Sequence, residues 1–310
     1  KSGISPDVLL WGGEPLMHPE FELIVNRLRQ YGFTLGLVTN GVLFNRYREL
    51  IGNQFNVIYV SVDGDREMHD KVRGAGVFDE VAANVAELRG YPVKVCLMAV
   101  ISPVNVHRLP EIPLMLEPLH PDRILLQKLI YLTKTECLEY EAWLKEKFNQ
   151  TAPKIHTWAN ETVQSYLTEL DRQLKIFNHN LESGLYKIPV EYLPHGFSST
   201  GQYCQAAFRH LHVTSTGEVN FCTDFYDFSA GNVRQGDLIE IFNNELAEKY
   251  REEIFLQHNS CCNHCSWVNN SFPLTADRLA RPVLSGGARR GPAKLQVHRS
   301  GGWTRGAIYN

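Results

Sequence analysis

The chain has no uninterrupted apolar stretch approaching the ~20 residues that a transmembrane helix needs. Its opening, Lys1-Ser2-Gly3 followed by Asp7 and Trp11, lacks the basic start, apolar run and small-residue cleavage site of a secretory signal. A cytoplasmic protein with no membrane partner is therefore expected. A strong charge of one sign is also missing: the formal net charge of −3 over 310 residues gives no case for nucleic acid as a partner. That balance hides an asymmetry, because residues 274–310 carry seven Lys/Arg against one Asp, +6, and leave −9 for residues 1–273. An even set of cysteines is absent too. Seven cysteines without an export signal argue against a disulfide framework and for thiolate chemistry or buried thiols. None precedes Cys96, whereas Cys204, Cys222, Cys261, Cys262 and Cys265 fall within 62 residues, a ligand-like distribution.

What is present reads as a globular α/β protein, with 44% hydrophobic and 21% charged residues. Val8-Leu9-Leu10-Trp11 is a buried-strand pattern, after which Phe21, Ile24, Val25 and Leu28 recur at helical spacing until Gly32. The order repeats with strands over 34–39 and 57–62, helices near 47–51 and 78–88, and further strands over 93–101 and 124–130. A helical stretch over 109–119 is expected despite its prolines. Strands separated by helices imply a parallel sheet buried on both faces, in barrel or partial-barrel form. From Thr135 to Phe177 the pattern turns helical, with Leu138, Trp143, Leu144, Trp158, Val163, Leu167, Leu170 and Leu174 expected inward. A second, small α+β module is expected from Gly201, with strands over 210–215 and 218–222 around a Thr216-Gly217 turn and a helix capped by Asp237 running to about Phe255. The domains expected are 1–134 as a partial barrel, 135–200 as a helical bridge, 201–273 as a cysteine module, and 274–310 as a disordered basic tail.

Short motifs stand at the C-terminal ends of successive strands, where a parallel sheet places its ligand. Gly12-Gly13-Glu14-Pro15 comes after the first, Thr39-Asn40-Gly41 after the second and Ser61-Val62-Asp63-Gly64 after the third, with His69-Asp70 and Arg73-Gly74 in the loop beyond. Each alone is an ordinary turn or cap. Their order and spacing together resemble the radical S-adenosylmethionine (SAM) enzyme family. The resemblance implies a partial (β/α)6 barrel in which Gly12, Gly13, Glu14 and Pro15 bind the methionine end of S-adenosyl-L-methionine. The glycines would permit close backbone approach and Glu14 would take the ammonium. It further implies Ser61 and Asp63 near the ribose and carboxylate, Asn40 at the pocket, and Arg73 on the methionine carboxylate. The catalytic [4Fe–4S] cluster of that family sits in a Cys-x-x-x-Cys-x-x-Cys loop, which residues 1–310 do not contain. The first strand and its cluster loop are therefore expected upstream of Lys1, and the chain as given is expected to be inactive.

In the C-terminal half, 17 residues separate Cys204 from Cys222, Gly217-x-x-x-x-Cys222 closes a hairpin, and Cys262-Asn263-His264-Cys265 adds a Cys-x-x-Cys pair. Four thiolates from short elements suit an iron–sulfur cubane or a tetrahedral zinc. The arrangement resembles the SPASM/twitch-type auxiliary modules of radical SAM enzymes in one-cluster form, implying a [4Fe–4S] auxiliary cluster on Cys204, Cys222, Cys262 and Cys265. Cys261 is expected to point elsewhere and His264 to lie outside the ligand set. Cys96 and Cys137 read as structural, and His210 and His212 as histidines sharing one face of a strand.

The function implied is reductive cleavage of S-adenosylmethionine to a 5′-deoxyadenosyl radical that abstracts hydrogen from a peptide, protein or small-molecule substrate, with peptide or protein modification foremost. A reductant such as flavodoxin or ferredoxin would be a partner. The rival is a non-catalytic degenerate barrel, a binding or scaffold protein whose cysteines hold structural zinc. Residue roles in the hydrogen transfer itself are not legible in the sequence.

Overall fold

The computed structural model describes residues 8–161, 164–193, 204, 206–256 and 259–265. The tail expected from 274 on, and Val163, lie outside the described residues. The chain divides into two compact units, one of Leu9–Leu129 with Glu161–Pro194, the other joining Ile130–Asn160 to the C-terminal part.

The first unit is built on a sheet of six strands in sequential order: β1 (Val8–Leu10), β2 (Leu35–Thr39), β3 (Val57–Ser61), β4 (Lys94–Ile101), β5 (Arg123–Lys128) and β6 (Val190–Leu193). From β2 to β6 every neighbouring pair is parallel. Sequential order without reversal is barrel-type winding, as the sequence implied; β1 and β6 stand at the two ends. The strands hold because their Val/Ile/Leu runs are covered on both faces: Leu35, Leu37, Ile58, Val60, Leu97, Ala99, Ile124, Leu125 and Leu126 are all fully buried.

Between the strands run α1 (Phe21–Gln30), α2 (Phe44–Gln54), α3 (Arg66–Arg73), α4 (Val77–Glu87) and α5 (Ile112–Leu116). α1 buries Phe21 and Val25, and its chain turns at Gly32, whose φ of +77° favours glycine. α3 begins at Asp65, whose carboxylate accepts the Met68 N–H at 3.1 Å and the Arg108 Nη1 at 2.9 Å. The stretch expected to be helical despite its prolines is a chain of short turns, 3-10 over Val106–Glu111, then α5, then 3-10 over Glu117–Leu119. Each proline removes a helical N–H.

The segment expected as a bridge is divided between the units. α6 (Lys134–Phe148) belongs to the second, while α7 (Gln164–Glu182) and β6 belong to the sheet unit. α6 opens with a reciprocal Thr133–Glu136 capping box and buries Cys137, Tyr140 and Leu144. Leu138, expected inward, is 59% exposed because it stands one position off that face. α7 turns Tyr166, Leu170 and Phe177 into the sheet unit, and Tyr186 adds its hydroxyl to Pro110 O at 2.8 Å.

The second unit continues with α8 (Ala206–Arg209), β7 (His212–Val213), β8 (Glu218–Asn220), β9 (Gly231–Asn232), α9 (Leu238–Phe242) and α10 (Glu245–Leu256). Its three-stranded antiparallel sheet is small, and the Thr216-Gly217 turn forms as expected, with Gly217 at φ +88°. The helix expected from Asp237 to about Phe255 is two helices. Asn244 interrupts it by accepting the Ala247 N–H at 2.8 Å and donating to Ala230 O at 2.8 Å. The core is aromatic, with Phe221, Phe225, Phe228, Tyr140 and Tyr250 buried and the Phe228 and Tyr250 rings stacked at 4.2 Å. Among the described residues no helix is long and apolar enough to cross a membrane.

Candidate functional site

Each unit carries its own group of chemistry-bearing residues. In the sheet unit these lie at the C-terminal strand ends. Glu14 caps a 3-10 turn over Pro15–Met17, and its Oε1 accepts the Leu16 N–H at 3.2 Å. The same oxygen accepts the Thr39 hydroxyl at 2.7 Å, and Oε2 accepts the Asn40 N–H at 2.7 Å. The loops after β1 and β2 are thus tied through one carboxylate. Asn40 contributes its backbone, since its side chain turns inward to accept the Val42 N–H at 3.0 Å. Gly12 and Gly13 are exposed, and nothing lies within 4 Å of where a Gly13 Cβ would stand, leaving open approach to the backbone.

Ser61 ends β3, in register with Met98. Asp63, expected at the cofactor, is only 2% exposed and is used within the protein: Oδ2 takes Arg73 Nε at 2.6 Å and Oδ1 accepts the Val100 N–H at 3.0 Å. Its carbonyl accepts Asn105 Nδ2 at 2.9 Å, and its N–H donates to His69 Nδ1 at 3.2 Å. Asp63 therefore welds the ends of β3 and β4 and aims Arg73, whose side chain remains 27% exposed at this edge. His69 is fully buried, burial lowers its pKa, and its acceptor Nδ1 marks it as the neutral Nε2–H tautomer. Lys128 ends β5 with its pKa lowered by burial, opposed by Asp171.

Thr39 and His69 stand in the strand-end motifs of the sequence but were given no role there, and Asn84 and Asn105 were not singled out at all. Asn84 had a signal: it interrupts the inward apolar positions Val81, Val85 and Leu88 of α4, and a polar residue there needs a buried partner.

In the second unit Cys261 and Cys265 are buried in the aromatic core, and the half-buried Cys204, Cys222 and Cys262 pack against it. Burial pushes the Cys204 thiol up to about 11, with Cys262 adding to the rise. Cys222 and Cys265 are pushed well up by burial first, then by the buried carboxylate of Asp224. Backbone N–H groups oppose this, from Ala206 and Ala207 to Cys204, from Phe225 to Cys222 at 3.2 Å, and from Asn259 to Cys262. Contrary to expectation Cys261 does not point away. It is 1% exposed, and its hydrogen bond with Cys262 lowers the Cys262 thiol and raises its own. His264 bonds Glu136 Oε1 through Nε2 at 2.9 Å and meets the Tyr131 ring at 4.7 Å, outside the thiol group as expected.

Among the described residues no three Cys, His, Asp or Glu groups converge at metal-ligand geometry. The donor set nevertheless fits a soft-metal centre. Thiols gathered at one apolar core are poor acids on their own, and backbone N–H bonds to sulfur are how proteins support iron–sulfur thiolates. Cys96 is buried in the sheet unit, and Cys137 is buried in the same apolar core as the five, its thiol donating to Ile155 O at 3.4 Å. His210 and His212 do not share a strand face. Only His212 is in β7, and His210 lies in the loop before it.

Residues 1–113 match the profile of the Radical SAM superfamily. Residues 204–266 match SPASM, described as an iron-sulfur cluster-binding domain. By these matches the chain carries a radical SAM domain and a SPASM domain. Among curated proteins it is 26% identical to Fe-coproporphyrin III synthase of Methanosarcina barkeri over 298 residues, covering 89% of this chain and 73% of that protein. It is 29% identical to pre-heme d1 synthase of Dinoroseobacter shibae over 129 residues, 41% of this chain and 32% of that protein. The fold matches Streptococcus suis SuiB at TM-score 0.59 and 13% identity, covering 79% of this chain and 57% of SuiB. It matches anSMEcpe with bound AdoMet at TM-score 0.54 and 19% identity, covering 80% and 66%. The radical SAM chain thus spans less than two thirds of these two structures.

Proposed function

We propose that this radical SAM chain belongs to an enzyme that binds S-adenosyl-L-methionine at the C-terminal edge of β1–β3 and uses it to abstract a hydrogen atom from an organic substrate. The observation that carries this is the pairing, in one chain, of a carboxylate tied across the first two strand ends with five cysteines gathered at one apolar core. Cleaved by one electron from a [4Fe–4S] cluster, S-adenosylmethionine supplies a 5′-deoxyadenosyl radical.

The residues present fit the nucleoside. Gly12 and Gly13 leave the backbone open, Glu14 offers an anionic acceptor to the ammonium, and Arg73, steadied by Asp63, offers a guanidinium to the carboxylate. They do not fit the catalytic cluster. Cys96 is the only cysteine of the sheet unit and it is buried in β4. The thiols of the second unit fit an auxiliary cluster.

A peptide or protein substrate is the reading favoured by the cysteine module. The two curated relatives favour a second, a carboxylated porphyrin-type macrocycle, because both are named for products of that kind. Absorbance titration with coproporphyrin separates them: a Soret shift saturating at one equivalent supports the macrocycle, and none supports the peptide.

The reaction assignment is tested by anaerobic reconstitution, which should load about four iron per chain. Incubation with S-adenosylmethionine and dithionite should then give no 5′-deoxyadenosine from residues 1–310. Zinc in the purified protein with no iron uptake would establish the scaffold rival. Production of 5′-deoxyadenosine that survives Glu14→Gln and vanishes with Cys262→Ser would make the C-terminal centre the catalytic one.

A further inference from the structure

A carboxylate offers about four acceptor positions. On Glu14 three are filled: Oε1 by the Thr39 hydroxyl and the Leu16 N–H, Oε2 by the Asn40 N–H. One position on Oε2 is left, and the direction in which it faces is set by the three donors. Capping the 3-10 turn uses the Leu16 contact alone. The other two come from the loop after β2, 25 and 26 residues along the chain.

That loop is held from below. Thr39 is 3% exposed, and its oxygen accepts the Gly41 N–H at 3.1 Å, so the hydroxyl proton is directed to Glu14. Gly41 stands at φ +78°, and a Cβ there would come within 2.8 Å of Val60 Cγ1, so the loop has one way to pass over β3. Asn84, 2% exposed on α4, donates from one Nδ2 to Gly41 O at 2.9 Å and Val42 O at 3.0 Å. A buried amide among valines is costly unless bonded, and the loop supplies the acceptors.

From this geometry we infer that Thr39 is a positioning residue for the amino-acid end of the nucleoside. Its hydroxyl turns Glu14 so that the last acceptor position meets the ammonium. The inference rests on the S-adenosylmethionine reading above and adds a residue to it.

The test is equilibrium dialysis of the 310-residue chain against two probes, S-adenosylmethionine and 5′-methylthioadenosine, which keeps the nucleoside and sulfur but has no amino-acid group. Thr39→Val removes the hydroxyl at nearly constant shape. It should weaken S-adenosylmethionine about tenfold, the loss of one charge-assisted hydrogen bond, and leave methylthioadenosine unchanged. Thr39→Ser should restore the difference between the probes. Equal weakening of both probes, or wild-type affinity for S-adenosylmethionine, overturns the inference. If Thr39→Val does not fold, Thr39→Cys, a weaker donor of similar size, is measured against the same two probes. Glu14→Gln keeps the failures apart. If it leaves the preference for S-adenosylmethionine intact, the binding reading itself is wrong; if it abolishes that preference while Thr39→Val does not, only the role of Thr39 fails.

Discussion

The two units of this radical SAM chain are held together differently. The sheet unit has six strands of three to eight residues, and the apolar side chains of its central strands are covered on both faces. The second unit has strands of two and three residues, and it packs aromatic rings around five thiols. Small domains with little regular structure ordinarily draw on a metal or disulfides for stability. All seven cysteines are free thiols in this structure. The sheet unit is therefore expected to keep its fold without a metal, and the second unit to need one.

The largest effect should come from removing that centre. Structural thiolate–metal sites contribute on the order of 10 kcal/mol to folding. Cys222→Ser should strip the metal and let the amides of Val219, Phe221 and Tyr250 exchange freely, while those of Leu97 and Leu125 stay protected. Cys137→Ala should leave metal content unchanged. Hydrogen exchange with mass spectrometry reads both units at once, and protection of the second unit without metal would break the comparison.

Next in size is a break within the sheet unit. Asp63→Ala removes the partner of Arg73 and leaves the Val100 N–H without its acceptor. Removing one member of a buried pair costs about 3–5 kcal/mol, and the partial exposure of Arg73 places the expected loss near ~3 kcal/mol. Denaturant titration followed by far-UV circular dichroism should show the sheet unit's transition move and that of the second unit stay.

Much of the sheet unit was legible in the sequence because burial on both faces writes itself as apolar runs: β2 to β5 fall within two residues of their expected bounds. The motif order was legible because in a parallel sheet the loops leaving successive strands all open onto the same edge. The partners were not. Asp63 reads as a ligand in sequence, and nothing there shows that each of its oxygens accepts an internal bond, one from Arg73 and one from a backbone N–H 37 residues away. In the former bridge, helical spacing marked the inward positions of α6 and α7 without saying which core each would join. In the second unit the Thr216-Gly217 turn was visible, since it needs only local chemistry. Cys261 was expected to point elsewhere, and the sequence did not show that Ser260–His264 is a 3-10 turn in which Cys261 is 1% exposed.

The smallest effect expected is a difference in acid sensitivity. In the second unit burial pushes His210 down to about 4, with His212 adding to the fall. His212 is also pushed down to about 4 by burial, with Lys154 adding to it and Asn220 opposing it. Both sit below the ordinary value near 6.5. Between those values the unfolded chain binds protons that the folded unit refuses, so stability rises with pH across the window and is lost as pH falls from about 6.5 to about 4. In the sheet unit His69 is lowered by burial, but Asp63 and Asp70 oppose the fall, so the same window should matter less there. Metal release in acid works in the same direction, because thiolates must stay deprotonated to hold it. The histidine share is isolated by comparing the chain with a His210→Gln, His212→Gln variant at matched metal content. Between pH 6.5 and 4 the parent should lose on the order of 2 kcal/mol more than the variant in its second unit. Parallel pH profiles for the two proteins would place the acid sensitivity in the thiols alone.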